Sequence, residues 1–325
     1  MITRRTILKS SALGLTAIGL GLPAMTAAQA QAIASLDIFV PAAPGGGWDG
    51  TARAIEMAMR EDKILSEFKF EHVGGAGGMV GLPRFISGKK GQANAIMIGG
   101  MVMVGAGIAN KSPVTIADVT PIARLTGEAL VVVVPDASPF KTMADLMAAL
   151  KADPKKVSWA GGSAGGADHI LVGMLAQSVG VDARAASYVA FAGGGPAQAA
   201  LLGNQVSAGV SGFGEFEEQI KAGKLRALGV SGEGTQSGVK SFKEQGINVV
   251  LYNWRGIFAA PGISPAQRDA LVSLIGKMAD GPAWKKILQT RGWDGIFLSG
   301  DKFAEFVKKD IADTTAILKG LGLAS

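Results

Sequence analysis

The chain contains no cysteine. That removes disulfide bridges, thiolate-bound metals and a cysteine nucleophile from the chemistry open to it. Histidine is nearly as scarce, with only His72 and His169 among 325 residues, too few for an ordinary zinc site. Neither a metal nor a cofactor is expected. No Lys/Arg block with interleaved aromatics occurs, so nucleic acid is not an expected partner. The formal charge of +6 does not argue otherwise, because Arg4, Arg5 and Lys9 supply half of it from a segment that reads as removable. What the sequence holds in excess is glycine: 47 residues, about twice the average share.

The removable segment is the first thirty residues. A charged stretch at 3–9 is followed by an apolar run at 11–25 and by Ala28-Gln29-Ala30, the order of a secretory signal peptide cleaved near Ala30. The apolar run is shorter than the ~20 residues a membrane-spanning helix needs, and Pro23 interrupts it. Arg4-Arg5 within Thr3-Arg4-Arg5-x-Ile7-Leu8-Lys9 resembles the twin-arginine signal, although ordinary signals also carry paired arginines, so the export route stays open. The remainder is long enough for two ordinary domains.

Apolar β-type runs at 36–40, 68–73, 95–98, 122–135, 157–160, 185–188, 208–210, 225–230 and 251–259 alternate with helical patterns at 50–60, 143–151, 168–178, 195–202 and 213–222. Two further helices, 265–280 and 301–321, close the chain. This alternation predicts an α/β fold with largely parallel sheets. The last helix repeats Phe303, Phe306, Val307, Ile311, Thr314, Ile317 and Leu318 at intervals of three and four, and should dock by one apolar face. The runs at 122–135 and 249–259 are too long and too apolar for ordinary strands, and read as two strands crossing between two lobes. Lobe one is then 31–128 with 255–325, and lobe two is 129–254.

The glycines cluster at the carboxyl ends of predicted strands: Pro44-Gly45-Gly46-Gly47-Trp48-Asp49, Gly74-Gly75-Ala76-Gly77-Gly78, Gly99-Gly100, Gly161-Gly162-Ser163-Ala164-Gly165-Gly166 and Gly193-Gly194-Gly195. Ligands bind at this edge in open α/β sheets. Glycine lets the backbone approach a ligand, and the first N–H groups of the following helix lack internal partners. Several such loops together form a nest of donors for an anion. The clusters hold no lysine or arginine, so a carboxylate there would rest on backbone N–H groups, hydroxyls and water. A single glycine more often just makes a tight turn; five clusters on one edge point to a site.

Competing patterns are present. Gly45-x-Gly47-x-x-Gly50, with Glu71 about twenty residues on, fits the dinucleotide fingerprint, making an exported nucleotide-dependent oxidoreductase the alternative, though Pro44 and Trp48 crowd that turn. Gly161-x-Ser163-x-Gly165 fits a nucleophile elbow, but no histidine follows His169, so Ser163 reads as a ligand-contacting or capping hydroxyl. Asp49 and Asp168 stand at helix starts, where an acid is stabilising without any catalytic role. Met97, Met101 and Met103 read as core residues alternating along a strand.

In order, Pro44-Gly45-Gly46-Gly47-Trp48-Asp49-x-x-Ala52-Arg53, Gly75-Ala76-Gly77-Gly78-x-x-Gly81, Gly193-Gly194-Gly195-Pro196-Ala197 with Leu202-Gly203-x-Gln205, Ala222-Gly223-Lys224-Leu225-Arg226-Ala227-Leu228 and Ala260-Pro261-Gly262-Ile263 resemble the TctC/Bug solute-binding receptors of tripartite tricarboxylate transporters. The likeness runs from about Leu36 to the C-terminus. It implies a two-lobed periplasmic-binding-protein fold, type II-like, that acts as a monomer in the periplasm. Such a receptor closes on a small organic carboxylate, a citrate-like tricarboxylate or a dicarboxylate, and delivers it to membrane permease subunits without performing chemistry. A receptor that senses the carboxylate without transport is a further alternative. The matching site residues are Gly45, Gly46, Gly47, Trp48, Asp49, Gly75, Ala76, Gly77 and Gly78 in lobe one. In lobe two they are Gly162, Ser163, Ala164, Gly165, Asp168, Gly193, Gly194 and Gly195. Asn253-Trp254-Arg255-Gly256 resembles the tricarboxylate branch, which would make Arg255 the one cation facing a carboxylate; a salt bridge or hinge role is the other reading of Arg255. Two departures from the family pattern are Glu71-His72-Val73-Gly74 and Gly99-Gly100-Met101.

Overall fold

The computed structural model describes residues 33–191 and 194–324; the segment read as a signal peptide and Gly193 lie outside the described residues. Strand β1 (Ser35–Val40) is followed by helix α1 (Gly47–Glu61), β2 (Glu67–His72) by α2 (Gly81–Gly88), and β3 (Ala95–Gly100) by α3 (Met101–Ala109). β1 pairs in parallel with β2 and β3. β2 ends the order of that sheet, and its alternation of Glu67, Lys69 and Glu71 with aromatic residues suits an edge exposed on one face. β3 is buried throughout. α3, MVMVGAGIA, is apolar all round and so carries no amphipathic period to predict it. Met101 and Met103 are therefore helical and do not continue a strand as expected. They and Met97 of β3 are nevertheless core residues.

β4 (Thr120–Pro135) is the long element that joins the two halves. Next come α4 (Met143–Ala152), β5 (Ser158–Gly161), α5 (Ala167–Ser178), β6 (Ser187–Ala190), α6 (Gly194–Leu202), β7 (Ala208–Gly212), α7 (Phe213–Lys221) and β8 (Leu225–Val230). The chain returns through β9 (Tyr252–Ala259) and ends with α8 (Pro265–Asp280), α9 (Pro282–Arg291), the two-residue β10 (Leu298–Ser299) and α10 (Gly300–Gly320). From Thr120 to Ala129, β4 pairs antiparallel with β9; from Leu130 onward it pairs with β7 and β8. The strand order is β2-β1-β3-β9-β4 and then β7-β5-β6.

The sheets are less parallel than expected. Pairs joined through a helix, β1 with β2 and β3, and β5 with β6 and β7, are parallel, while every pairing of β4 or β9 is antiparallel. A strand that leaves one half and a strand that returns run in opposite directions, so they meet antiparallel. The unbroken apolar stretch of β4 after Glu128 has a packing cause as well. Leu130, Val132 and Val134 enter one core cluster and Val131 and Val133 the other, so both faces are covered.

α10 ties the halves together on the outside. It buries Phe303, Val307, Thr314 and Leu318 and packs on β4, α3 and α5. Beyond it, Leu321 fills the space where Gly173 of α5 lacks a side chain, 2.5 Å from where a Cβ would stand. The halves also meet backbone to backbone: a Cβ on Gly105 of α3 would collide with the carbonyl oxygen of Gly165. Among the described residues no helix is long and apolar enough to cross a membrane.

This contact predicts opposite signs for two substitutions on one helix. Gly105→Ala must push α3 off the Gly165 loop and should lower stability by about 1–3 kcal/mol. A Cβ on Gly107 meets nothing nearer than the Met79 sulfur at 3.5 Å, an ordinary contact distance, so Gly107→Ala should be neutral or stabilising by up to about 1 kcal/mol. Thermal denaturation followed by circular dichroism measures both.

Candidate functional site

A cavity of about 650 Å³ lies where the carboxyl edges of the two sheets face each other. One wall is the segment after β1, Gly47 and Trp48 at the start of α1, and residues 74–78. The opposite wall is Gly162, Ser163 and the start of α5 with Asp168, together with Ser211, Gly212 and Glu215 at the junction of β7 and α7. Val102 of α3, Glu128 of β4 and Asn253 and Arg255 of β9 complete the lining.

The first wall depends on glycine for stated reasons. Gly75, Gly77 and Gly78 have φ of +133°, +61° and +93°, a region other residues enter only with strain. The Trp48 ring lies 2.9 Å from where a Cβ on Gly78 would stand. At Gly47 the missing side chain makes room for the Arg255 guanidinium, whose Nη2 would lie 2.8 Å from a Cβ.

Several expected residues are used within the protein. The Gly45 N–H donates to Asp49 Oδ2 at 2.9 Å, and Asp49 Oδ1 meets His72 Nε2 at 2.7 Å. Asp49 thus straps the loop to the end of β2, and His72, a departure from the family pattern, is its anchor. Burial raises the Asp49 pKa, but the Gly45 hydrogen bond and His72 outweigh it and hold the carboxyl below its ordinary value. Gly46 is the N-cap of α1, and Gly165 is turned toward Gly105 and Ala109 of α3. Gly45, Gly46, Asp49, Ala164, Gly165 and Gly195 are not among the residues lining the cavity. Gly193 lies outside the described residues, and Gly194 opens α6.

Arg255 is not a free cation. Its Nη2 forms a short ion pair with Glu128 Oε2, and the two side chains are only 8% and 12% exposed. The second wall adds two more carboxyls. Asp168 Oδ2 accepts the Gly162 N–H at 2.7 Å; burial, reinforced by Glu215 and Glu128, pushes its pKa up to about 7. Glu215 keeps contact with solvent and accepts a short hydrogen bond from the Ser211 hydroxyl. Desolvation in the cleft pushes it above its ordinary value and Glu128 adds to the shift, against the opposing pull of the Ser211 hydrogen bond and the Arg255 charge. Among the described lining residues three acids thus accompany one base.

The nucleophile and dinucleotide patterns fail on geometry. His169 stacks on Tyr188 with ring centroids 4.1 Å apart, and its Nδ1 accepts the Gly165 N–H at 3.3 Å. Burial pushes it down to about 4, leaving a neutral ring that supports the loop. The N-cap of α5 is Gly166, so Ser163 lines the cavity without capping that helix. In the dinucleotide pattern, the Arg255 guanidinium fills the space beside Gly47 and the Arg291 guanidinium lies 3.1 Å from a Cβ position on Gly50, so neither glycine keeps open the space the fingerprint uses.

Glu128, Ser211, Glu215 and Asn253 line the cavity without being among the expected site residues. Two signals existed. Glu128 is the one acid inside a largely apolar run, and Gly212-x-Gly214-Glu215 repeats the strand-end glycine pattern of the other loops.

The chain matches the profile of the tripartite tricarboxylate transporter family receptor, TctC, over residues 57–323. It is 29% identical over 210 residues to a UPF0065 protein in the gbd 5' region of Cupriavidus necator, a match covering 64% of this chain and 63% of that protein. In structure it is similar to an R. palustris protein with adipate, with a TM-score of 0.76, 19% identity and coverage of 89% and 98% of the two chains. It is also similar to MatC from Rhodopseudomonas palustris with bound malate, with a TM-score of 0.72, 20% identity and coverage of 88% and 99%. At this identity the likenesses establish the two-lobed binding-protein fold.

Two outcomes follow from the paired and unpaired charges. Arg255→Ala strands Glu128 and should lower stability by about 3–5 kcal/mol, whereas the double variant Arg255→Met/Glu128→Leu should recover most of that loss in denaturant titrations. Asp168 holds a proton in the folded protein up to about pH 7 that the unfolded chain releases near its ordinary value of ~4, so its contribution to stability falls as pH rises through that window. Asp168→Asn should therefore gain stability relative to the wild type at pH 8 and show no such gain at pH 4, as read from melting temperatures.

Proposed function

The chain belongs to the tripartite tricarboxylate transporter receptor family, and from that premise we propose that it captures a small carboxylate between its lobes in the periplasm and delivers it to the permease subunits of such a transporter. The observation that carries this reading is the cavity of about 650 Å³ between two strand-edge walls, a volume typical of small-molecule sites. Lobe one is 31–128 with 255–325, lobe two is 129–254, and they close about the two crossing strands. Export follows cleavage near Ala30. As a family of receptors, it binds solute and catalyses nothing.

The solute contacts in this reading are Gly47, Trp48, Gly75, Ala76, Gly77 and Gly78 from lobe one, and Gly162, Ser163 and Asp168 from lobe two. Ser211, Glu215 and Asn253 join them. Arg255 reaches a solute carboxylate in competition with Glu128. The first N–H groups of α1 and of the turn at Ala76–Gly78 lack helical partners and favour an anion. Three acids in the lining work against every further negative charge, so a dicarboxylate fits better than a citrate-like tricarboxylate. Malate and adipate, bound by the structural neighbours, are both dicarboxylates.

Thermal-shift measurements on the mature protein should show stabilisation by at least one dicarboxylate of four to six carbons, amounting to about 2.7 kcal/mol at a hundred times its Kd. Citrate should stabilise less. A panel of mono-, di- and tricarboxylates that moves the melting temperature nowhere would remove the reading.

A further inference from the structure

α10 is seated at both ends by a large side chain that enters the space left by a glycine. Near its start, Phe303 packs on Trp254 and Phe258 of the returning strand β9, and its ring lies 2.9 Å from where a Cβ on Gly256 would stand. Just past its end, Leu321 occupies the notch at Gly173, with Cδ2 2.5 Å from a Cβ position there. The helix between them covers about 27 Å at the rise of an α-helix. Phe303 is therefore fixed to a strand that joins the lobes. Leu321 is fixed to α5, the helix whose first turn brings Ala167 and Asp168 to the cavity.

The chain beyond α10 is shaped to stay in place. Gly322, with φ of +71°, turns the backbone so that its N–H donates to the Lys319 carbonyl and the Leu323 N–H to the Leu318 carbonyl, the closure expected of a glycine just past a helix. Leu318 and Leu321 are buried, and Leu323 packs on the same core. Cβ positions on Gly320 and Gly322 lie 3.0 Å from Gln177 and 3.2 Å from Arg184, so this segment follows lobe two along its length. The contact of Gly105 with Gly165 is of another kind, since no side chain interlocks there and small sliding is open to it. A leucine in a glycine notch must leave the notch before the helix beneath it can move.

We propose that residues 318–324 form a strap that limits how far lobe two swings from lobe one, and that slows the departure of solute by doing so. This rests on the reading of the cavity as a solute site closed by two lobes. Outward movement of lobe two carries α5 with it and draws the Gly173 notch off Leu321, while Phe303 holds the other end of α10 to β9. The strap opposes opening from outside the cavity and touches no solute.

Because the chain has no cysteine, spin labels can be attached at chosen positions. Val80 of lobe one and Val189 of lobe two are exposed and do not line the cavity. Pulsed electron paramagnetic resonance between labels at Val80→Cys and Val189→Cys reports the separation of the lobes with no solute present. Leu321→Ala empties the notch, Gly173→Ala fills it and expels Leu321, and a chain ended after Lys319 lacks the strap. Each should shift the distances to longer values, whereas Leu321→Met, which nearly conserves volume, should match the parent. In Gly173→Ala/Leu321→Ala the shift should be smaller than the two single shifts together, because the new methyl occupies the notch. Stopped-flow fluorescence with succinate, malate and adipate should find release at least fivefold faster in Leu321→Ala and association changed less than twofold. Circular dichroism reports folding; if the shortened chain does not fold, the two single substitutions decide. Distances that are unchanged or shortened in every folded variant overturn the strap. Longer distances with unchanged release overturn its effect on solute departure. If none of the three acids binds, the loss falls on the solute reading alone, and the distances still decide the strap.

Discussion

The ion pair between Glu128 and Arg255 is the constraint around which the cavity is arranged. It joins β4 to β9 next to the point where β4 exchanges one partner for another. Two largely buried charges are tolerable only with close geometry and with every neighbour making room. Gly212 yields to the carboxylate and Gly47 to the guanidinium, so one pair accounts for a glycine on each wall. The guanidinium rests against the start of α1, where the positive end of the helix dipole disfavours a cation. Glu128 offsets that conflict, and replacing it would expose Arg255 to an unfavourable field as well as removing a partner.

The rest of the site is layered on this frame through hydrogen bonds that orient loops. Asp49 holds the Gly45 loop to β2 through His72, and Asp168 holds Gly162 at the head of α5. Tyr188 donates to the Gly162 carbonyl at 2.8 Å and stacks on His169, which in turn accepts from Gly165. Each wall therefore has an acid near a helix start that fixes its glycine loop. Only Asp168 also faces the cavity.

Much of the fold was legible in the sequence where a local signal decided the outcome. Ser264, Pro265 and Gln267 form a capping box with proline at the first helical position, which is why α8 begins where the sequence indicates. α3 was illegible because burial on all sides erases the periodicity that marks a helix. The glycine loops were legible because positive φ demands glycine, yet their purposes were not. Gly75, Gly77 and Gly78 shape the cavity wall, whereas Gly165 serves the approach of α3. Glu128 and Glu215 escaped notice because their significance comes from which strands are neighbours. Residues 128 and 215 meet only after β4 and β7 pair, and no window along the chain contains both.

Elsewhere the chain obeys local rules closely. Thr142 with Asp145 and Ser264 with Gln267 cap their helices reciprocally, the charges of β2 guard an edge, and β4 from Leu130 to Val134 is apolar on both covered faces. Against that background the convergence of Asp168, Glu215 and Glu128 on one space is a departure that packing does not call for. An asparagine at 168 could still accept the Gly162 N–H, and a glutamine at 215 could still bond the Ser211 hydroxyl, without the mutual repulsion. Proteins break local consistency chiefly where function requires it. The acids mark the chemically selective wall of the cavity more sharply than the glycines do, since glycine has structural uses at every strand end and an unpaired carboxyl in a cleft has few.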